Sequence, residues 1–152
     1  MNLILWRHAE AEHGTDDMLR RLTPRGRAQA ERGGAWLRER LPNDTRVIVS
    51  PAVRTCETVD ALGRRYDVVQ ALAPNATPQS LLQAAGWQPE GTGTVLVVGH
   101  QPTLGRVAAQ LMTGEARHWS VRRGGIWWLA SPTEDDDGRS TVVRAVVDPD
   151  LL

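Results

Sequence analysis

Two stretches of this chain share one plan, an unbroken apolar run that gives way at once to histidine. Residues 3–6 read Leu-Ile-Leu-Trp before Arg7 and His8, and residues 95–98 read Val-Leu-Val-Val before Gly99 and His100. Four apolar residues without alternation are the pattern of a strand buried on both faces. Such a strand needs a helical layer on each side. Helical segments fall between the apolar runs, so the expected fold is an α/β three-layer sandwich with a mainly parallel central sheet.

The remaining elements follow from local chemistry. Thr23-Pro24 supplies an N-cap and a first-turn proline, and the helix behind it carries Ala28, Ala35, Trp36 and Leu37 towards Leu41. Residues 47–49 form another buried strand. Ser50-Pro51 then reads as the cap and first turn of a helix bearing Arg54, Cys56, Val59 and Leu62. Residues 9–22 read as a loop, 68–69 as a short strand, 78–85 and 103–112 as helices. Strands over 126–130 and 141–147 flank the acidic run 134–138 and suggest an antiparallel hairpin at a sheet edge. Trp127 and Trp128 are expected to pack a terminal strand, one ring on each face. Without repeat or linker, residues 1–152 are expected to form one domain.

Composition removes several classes of function. Hydrophobic residues at 41% and charged residues at 24% belong to a folded chain, not a disordered one. The net charge is zero, which argues against a nucleic-acid or membrane-surface protein. All eighteen basic residues are arginine, by genomic bias or for forking onto phosphate. Cys56 is the single cysteine, so no internal disulfide is possible and a reducing, cytoplasmic location is expected. No apolar run suggests a signal sequence or a span. His13 and His118 have no ligand-like spacing, so no metal and no cofactor is expected, and nothing reads as a dimer seam, which leaves a monomer.

In open α/β sheets, ligands bind beyond the carboxyl ends of the strands. If the three buried strands are neighbours, Arg7, His8, Arg54 and His100 meet in one pocket. Each has a bland reading, the histidines as rim or satisfied core groups and the arginines as solvated charge. Together they make a receptor for a dianion, because guanidinium forks match phosphate oxygens.

The sequence is similar here to a known family. Arg7-His8-Ala9, Ser50-Pro51-x-x-Arg54-x-x-x-Thr58 and Gly99-His100-x-Pro102 resemble the histidine phosphatase superfamily. Asp17-x-x-Arg20-x-Leu22-Thr23-x-x-Gly26 resembles its compact SixA-type phosphohistidine phosphatase branch. The likeness runs from residue 3 to about residue 112. It departs at Ala9, where glycine is usual, at Arg21 in place of proline, and at Gln101 in place of asparagine. It implies a histidine-phosphatase-like fold without a cap insertion. It also implies that His8 is a nucleophile that becomes phosphorylated, and that Arg7, Arg54 and His100 hold the phosphoryl group. Arg20 and Gln101 become candidate substrate-binding residues. Two arginines beside His8 should disfavour its imidazolium form, and His100 should donate a hydrogen bond to the phosphoryl group.

One absence bears on the substrate. Larger members of the superfamily carry a general acid after the third strand, yet residues 68–89 contain no Asp or Glu. Glu10, Glu12 and Asp17 of the first loop remain as candidates, with Glu10 and Glu12 reading more readily as solvated loop charges. An alkoxide leaving group needs the acid, worth roughly 10²–10⁴-fold, whereas a phosphorylated imidazole tolerates its loss. The expectation is therefore a metal-independent phosphohistidine phosphatase acting on a phosphohistidine-bearing protein, such as a phosphotransfer domain. The alternatives are a small-molecule or phosphoester phosphatase of the same superfamily, or a non-catalytic module that binds phosphate or phosphohistidine.

Overall fold

In the computed structural model, which describes residues 1–136 and 140–152, β1 (Asn2–Arg7) sends its apolar side chains to both sides of the sheet. Leu3 and Leu5 enter one core, Ile4 and Trp6 the other, and all four are inaccessible to solvent. Each such side chain contributes about 1.5–3 kcal/mol by leaving water, which is why the run carries no polar residue. The same division recurs in β4 (Thr94–Gly99), where Val95 and Val97 oppose Leu96 and Val98.

The chain continues through α1 (Pro24–Arg38), β2 (Arg46–Val49), α2 (Val53–Asp60), β3 (Asp67–Val68) and α3 (Pro78–Ala85). After β4 come α4 (Thr103–Thr113), β5 (Ile126–Ala130) and β6 (Val142–Val147). The sheet runs β3-β2-β4-β1-β5-β6. Its first four strands are mutually parallel, and β5 pairs antiparallel with both β1 and β6. Leu37, Val59 and Leu62 cover one face from the α1 and α2 region. Leu81, Ala85, Leu104 and Val107 cover the other from α3 and α4. The α/β three-layer sandwich is as expected.

Several local expectations change. Thr23 does cap α1, its hydroxyl accepting from Gly26 N at 3.0 Å. Ser50-Pro51, by contrast, does not start α2. The helix begins at Val53 with Ala52 at its cap, and no side chain caps it. The Ser50 hydroxyl accepts from Ala52 N at 3.3 Å, ahead of the helix, and is engaged by His100 at 2.7 Å. The third strand lies at Asp67–Val68, exposed at the sheet edge, rather than at 68–69. Trp127 and Trp128 do pack opposite faces, but of a strand covered by β6 and not of a terminal one. Residues 134–136 form a turn, with Glu134 and Asp135 exposed, and Asp137 and Gly138 lie outside the described residues. Among the described residues, no helix is long and apolar enough to cross a membrane.

The loop between β1 and α1 is fixed at both ends. Ala11 bridges Leu22, and the Glu57 carboxylate of α2 accepts from Leu22 N at 2.9 Å and Arg21 Nε at 2.8 Å. Glycine lets α1 approach this loop closely, since a β-carbon at Gly26 would collide with the Glu10 carbonyl.

Candidate active site

Strand order and register bring the polar ends together. β4 lies between β1 and β2, with Arg7 opposite Gly99 and Val49 opposite Val98. The ladders run one step past the strands, through His8 N to Gly99 O and Ser50 N to Val98 O, both 3.1 Å. His8, Ser50 and His100 therefore leave the sheet at one edge, and the two imidazole centroids are 5.3 Å apart.

His8 is buried, with Nδ1 2.8 Å from the Ala9 carbonyl oxygen. A carbonyl only accepts, so Nδ1 carries the proton and Nε2 keeps its lone pair. Ala9 is held in turn by Thr58, whose hydroxyl accepts from Ala9 N at 3.0 Å and donates to Arg54 O at 2.7 Å. The His8 pKa is lowered to about 4, by burial first and then by the charges of Arg54, Arg7 and Arg20, against the opposing pull of the Ala9 carbonyl. The arginines thus act in the expected direction, while burial is the larger cause.

Both arginines of the expected quartet reach this edge. Arg7 donates from Nη1 to Val121 O at 2.8 Å. Arg54 donates from Nη1 to Asp17 O at 2.6 Å, and from Nη2 to Asp17 Oδ2 at 3.1 Å and His100 Nδ1 at 3.3 Å. Of three buried side-chain N or O atoms without a partner among the described residues, two are the Nε atoms of Arg7 and Arg54. A buried N–H left unpaired costs about 1–3 kcal/mol, which an anion between these guanidiniums would recover. Burial, and then the charges of Arg123 and Arg54, pull Arg7 below its ordinary value; the same anion relieves that repulsion.

His100 is set differently from the expectation. A guanidinium only donates, so His100 Nδ1 accepts from Arg54 and the ring proton sits on Nε2, aimed at Ser50 Oγ. Burial, followed by the proximity of His8 and Arg54, lowers the His100 pKa to about 3. Neither imidazole is charged at neutral pH.

The other candidates divide. Arg20 stands at the rim, donating from Nε to Glu12 O at 2.7 Å and pairing with Asp17 at 3.1 Å. Asp17 thereby bridges Arg20 and Arg54, and these hydrogen bonds, that from Arg20 first, hold its carboxyl below the usual range. Glu10 turns away to Arg25, 3.6 Å distant, and the Glu12 side chain is exposed. Gln101 is occupied at both ends of its amide, donating to Trp119 O at 2.8 Å and accepting from Gly105 N at 2.7 Å. Among the described residues, no group of three or more His, Cys, Asp or Glu side chains could hold a metal.

A family model described as the histidine phosphatase superfamily (branch 1) matches residues 3–75. A SixA phosphohistidine phosphatase homologue of Haemophilus influenzae is 31% identical over 126 residues, covering 73% of this chain and 77% of the relative. The chain belongs to the histidine phosphatase superfamily. The phosphohistidine phosphatase SixA of Escherichia coli is 28% identical over 151 residues, covering 93% of this chain and 90% of its own. In fold, a SixA structure complexed with tungstate superposes with a TM-score of 0.81 over 99% of both chains at 23% identity.

Among histidine phosphatases, then, this chain sets its nucleophile candidate just past β1 and its guanidiniums on β1 and α2. Sequence reasoning missed Ser50, which was read as a helix cap. The signal was available: β2 is also an apolar run ending in a polar residue, the plan that singled out His8 and His100. It missed the segment 118–125 as well. That wall is fixed by bonds from Arg7 to Val121 O, Trp6 Nε1 to Gly124 O and Gly124 N to His8 O. A β-carbon at Gly105 would strike the Trp119 carbonyl, so glycine there lets α4 lie against the wall.

Proposed function

We propose that this protein hydrolyses phosphohistidine carried by another protein, through a phosphorylated His8. The observation that carries the reading is the His8 ring itself, locked at Nδ1 and neutral, with the Nε2 lone pair free beside two guanidiniums that hold unpaired N–H groups. Arg7 and Arg54 bind the phosphoryl oxygens and neutralise charge as the phosphorus moves. Nε2 of His8 attacks phosphorus, the substrate P–N bond breaks, and the released imidazole keeps that electron pair and takes a proton. Water then attacks phospho-His8, releasing phosphate and restoring neutral His8. His100 orients Arg54 through Nδ1. Its Nε2–H is engaged with Ser50 Oγ, so donation to the phosphoryl group requires that N–H to leave the serine hydroxyl.

The leaving group follows from the acids present. Asp17 is held ionised by Arg20 and Arg54, and Glu10 is turned to Arg25, so neither is set to protonate an alkoxide. A P–N bond releases a neutral imidazole and has less need of that help. The relatives named SixA phosphohistidine phosphatase support the same substrate class. On this reading the protein acts as a monomer in the cytoplasm, without cofactor or metal, on a phosphotransfer protein.

The test is side-by-side turnover of a histidine-phosphorylated phosphotransfer protein and a phosphoserine protein, with quenched-flow trapping of acid-labile phosphoenzyme. Preference for phosphohistidine, and a phosphoenzyme absent from His8→Ala, is the expected result. Preference for phosphoserine refutes the substrate class. Tight phosphate binding without turnover would make the protein a binding module.

A further inference from the structure

Arg7 faces two spaces. Besides its part in the quartet with His8, it lines an open cavity of about 350 Å³ together with Arg25, Gln29, Ser120, Arg123 and Asp150. The cavity is rich in arginine, and most of that charge is already spent. Arg25 pairs with Asp150 at 3.0 Å and Glu10 at 3.6 Å, and Arg122 pairs with Asp148 at 3.2 Å. Asp150 also accepts from Gln29 at 3.2 Å and faces Arg32 at 3.6 Å. Arg123 is different. It is exposed and makes no hydrogen bond or ion pair among the described residues. Its charge is felt by Arg7, which it pushes down, so Arg123 stands close to the phosphate-holding guanidinium with nothing to offset it.

A free cation beside an occupied one raises the local positive potential without helping the fold, since like charges repel. Arg123 also belongs to the wall 118–125, which Arg7 and Gly124 pin to the end of β1. Its main chain is therefore held at a fixed place relative to His8. A small phosphate would be held by Arg7 and Arg54 alone. A protein substrate brings flanking side chains, and one of them must pass this cavity.

We propose that Arg123 and the cavity beside Arg7 form a recognition subsite for a carboxylate side chain flanking the phosphohistidine in the protein substrate. This rests on the phosphohistidine reading above and adds to it a preference for acidic neighbours. The paired Glu10 and Asp150 do not oppose such a ligand, because Arg25 and Gln29 already bind them. An aspartate or glutamate of the partner would take up the Arg123 guanidinium, which has no partner among the described residues.

The test uses two synthetic phosphohistidine peptides that differ only in whether glutamate or glutamine adjoins the modified residue. The wild-type protein should prefer the glutamate peptide in kcat/KM by roughly three- to fivefold, the range of a solvent-facing ion pair, with the preference shrinking as salt is raised. Arg123→Gln should bring that ratio close to one, Arg123→Glu should invert it, and Arg123→Lys should keep most of it. Equal turnover of both peptides by the wild type overturns the subsite. So does an Arg123→Gln defect shared equally by both peptides, which would place Arg123 on the phosphoryl group. Wild-type protein that turns over neither peptide refutes the phosphohistidine reading itself, and the subsite falls with it.

Discussion

Arg54 reaches His100, Nη2 to Nδ1 at 3.3 Å, and that contact decides which imidazole nitrogen carries the proton. Because guanidinium cannot accept, His100 presents a lone pair to Arg54 and its N–H to Ser50. The two histidines are thus locked in opposite tautomers, His8 protonated at Nδ1 and His100 at Nε2. Only His8 has a lone pair without a partner.

Lysine cannot replace Arg54. An ammonium holding the Asp17 carbonyl, the Asp17 carboxylate and His100 Nδ1 would spend all three of its donors and keep none for the phosphoryl group. Arg54→Lys should lower kcat/KM about 100-fold, the scale of losing one preorganised donor at a developing charge. Steady-state kinetics check it, and near-wild-type activity would show that charge alone suffices.

Ser50→Ala should lower kcat about tenfold, since the His100 Nε2–H loses its acceptor and the ring one of the two bonds that orient it. Ser50→Thr, which keeps the hydroxyl, should recover activity if the added methyl fits. The readout beyond activity is the His100 imidazole shift in nitrogen NMR. The Nε2–H signal should shift in Ser50→Ala, whereas Nδ1 stays an unprotonated acceptor in both proteins.

Acid should unfold the protein through its histidines before its carboxylates. His8 titrates at about 4 and His100 at about 3, both below the ordinary 6.5. Between those values and 6.5 the unfolded chain binds more protons, so stability is complete above 6.5 and falls as pH drops through the window. His8 alone accounts for on the order of 3 kcal/mol at about 1.4 kcal/mol per unit. Chemical denaturation from pH 7 to 4.5 should show the decline, and His8→Ala should flatten it. Histidine titration by NMR near pH 6.5 in the folded state would contradict the prediction.

Gln101→Ala should cost stability more than chemistry. It frees the Trp119 carbonyl and Gly105 N–H, about 1–2 kcal/mol for two neutral hydrogen bonds. The unfolding midpoint should fall while KM for phosphohistidine changes less than threefold. A large KM effect with unchanged stability would restore Gln101 as a substrate contact.

How far the sequence disclosed this site depends on which bonds are local. β1 and β4 were legible because a strand buried on both faces can contain only apolar residues, and the polar group beyond each then stands out. Arg54 followed from its place in the turn behind β2, and Thr58 from the resemblance alone. Ser50 was hidden by an ambiguity, since Ser-Pro before a helix is a good capping pair and only the tertiary partner His100 shows the hydroxyl in other use. The wall 118–125 had no local signature, because Trp6, Arg7 and Gln101 hold it by main-chain carbonyls, and any residue supplies a carbonyl. Gln101 looked free in the sequence for the same reason.

The position of β1 also governs when the enzyme can exist. Its two sheet neighbours, β4 and β5, begin at residues 94 and 126, so this strand gains both flanks only after more than a hundred further residues are made. A nascent chain ending before β4 holds Arg7, His8 and Arg54 but neither His100 nor the carbonyl that anchors Arg7. The proposed nucleophile, His8, is thus made long before the groups that complete its surroundings. Long-range pairing of this kind slows the search for the native state, and an exposed Leu-Ile-Leu-Trp segment is the stretch a chaperone would meet meanwhile.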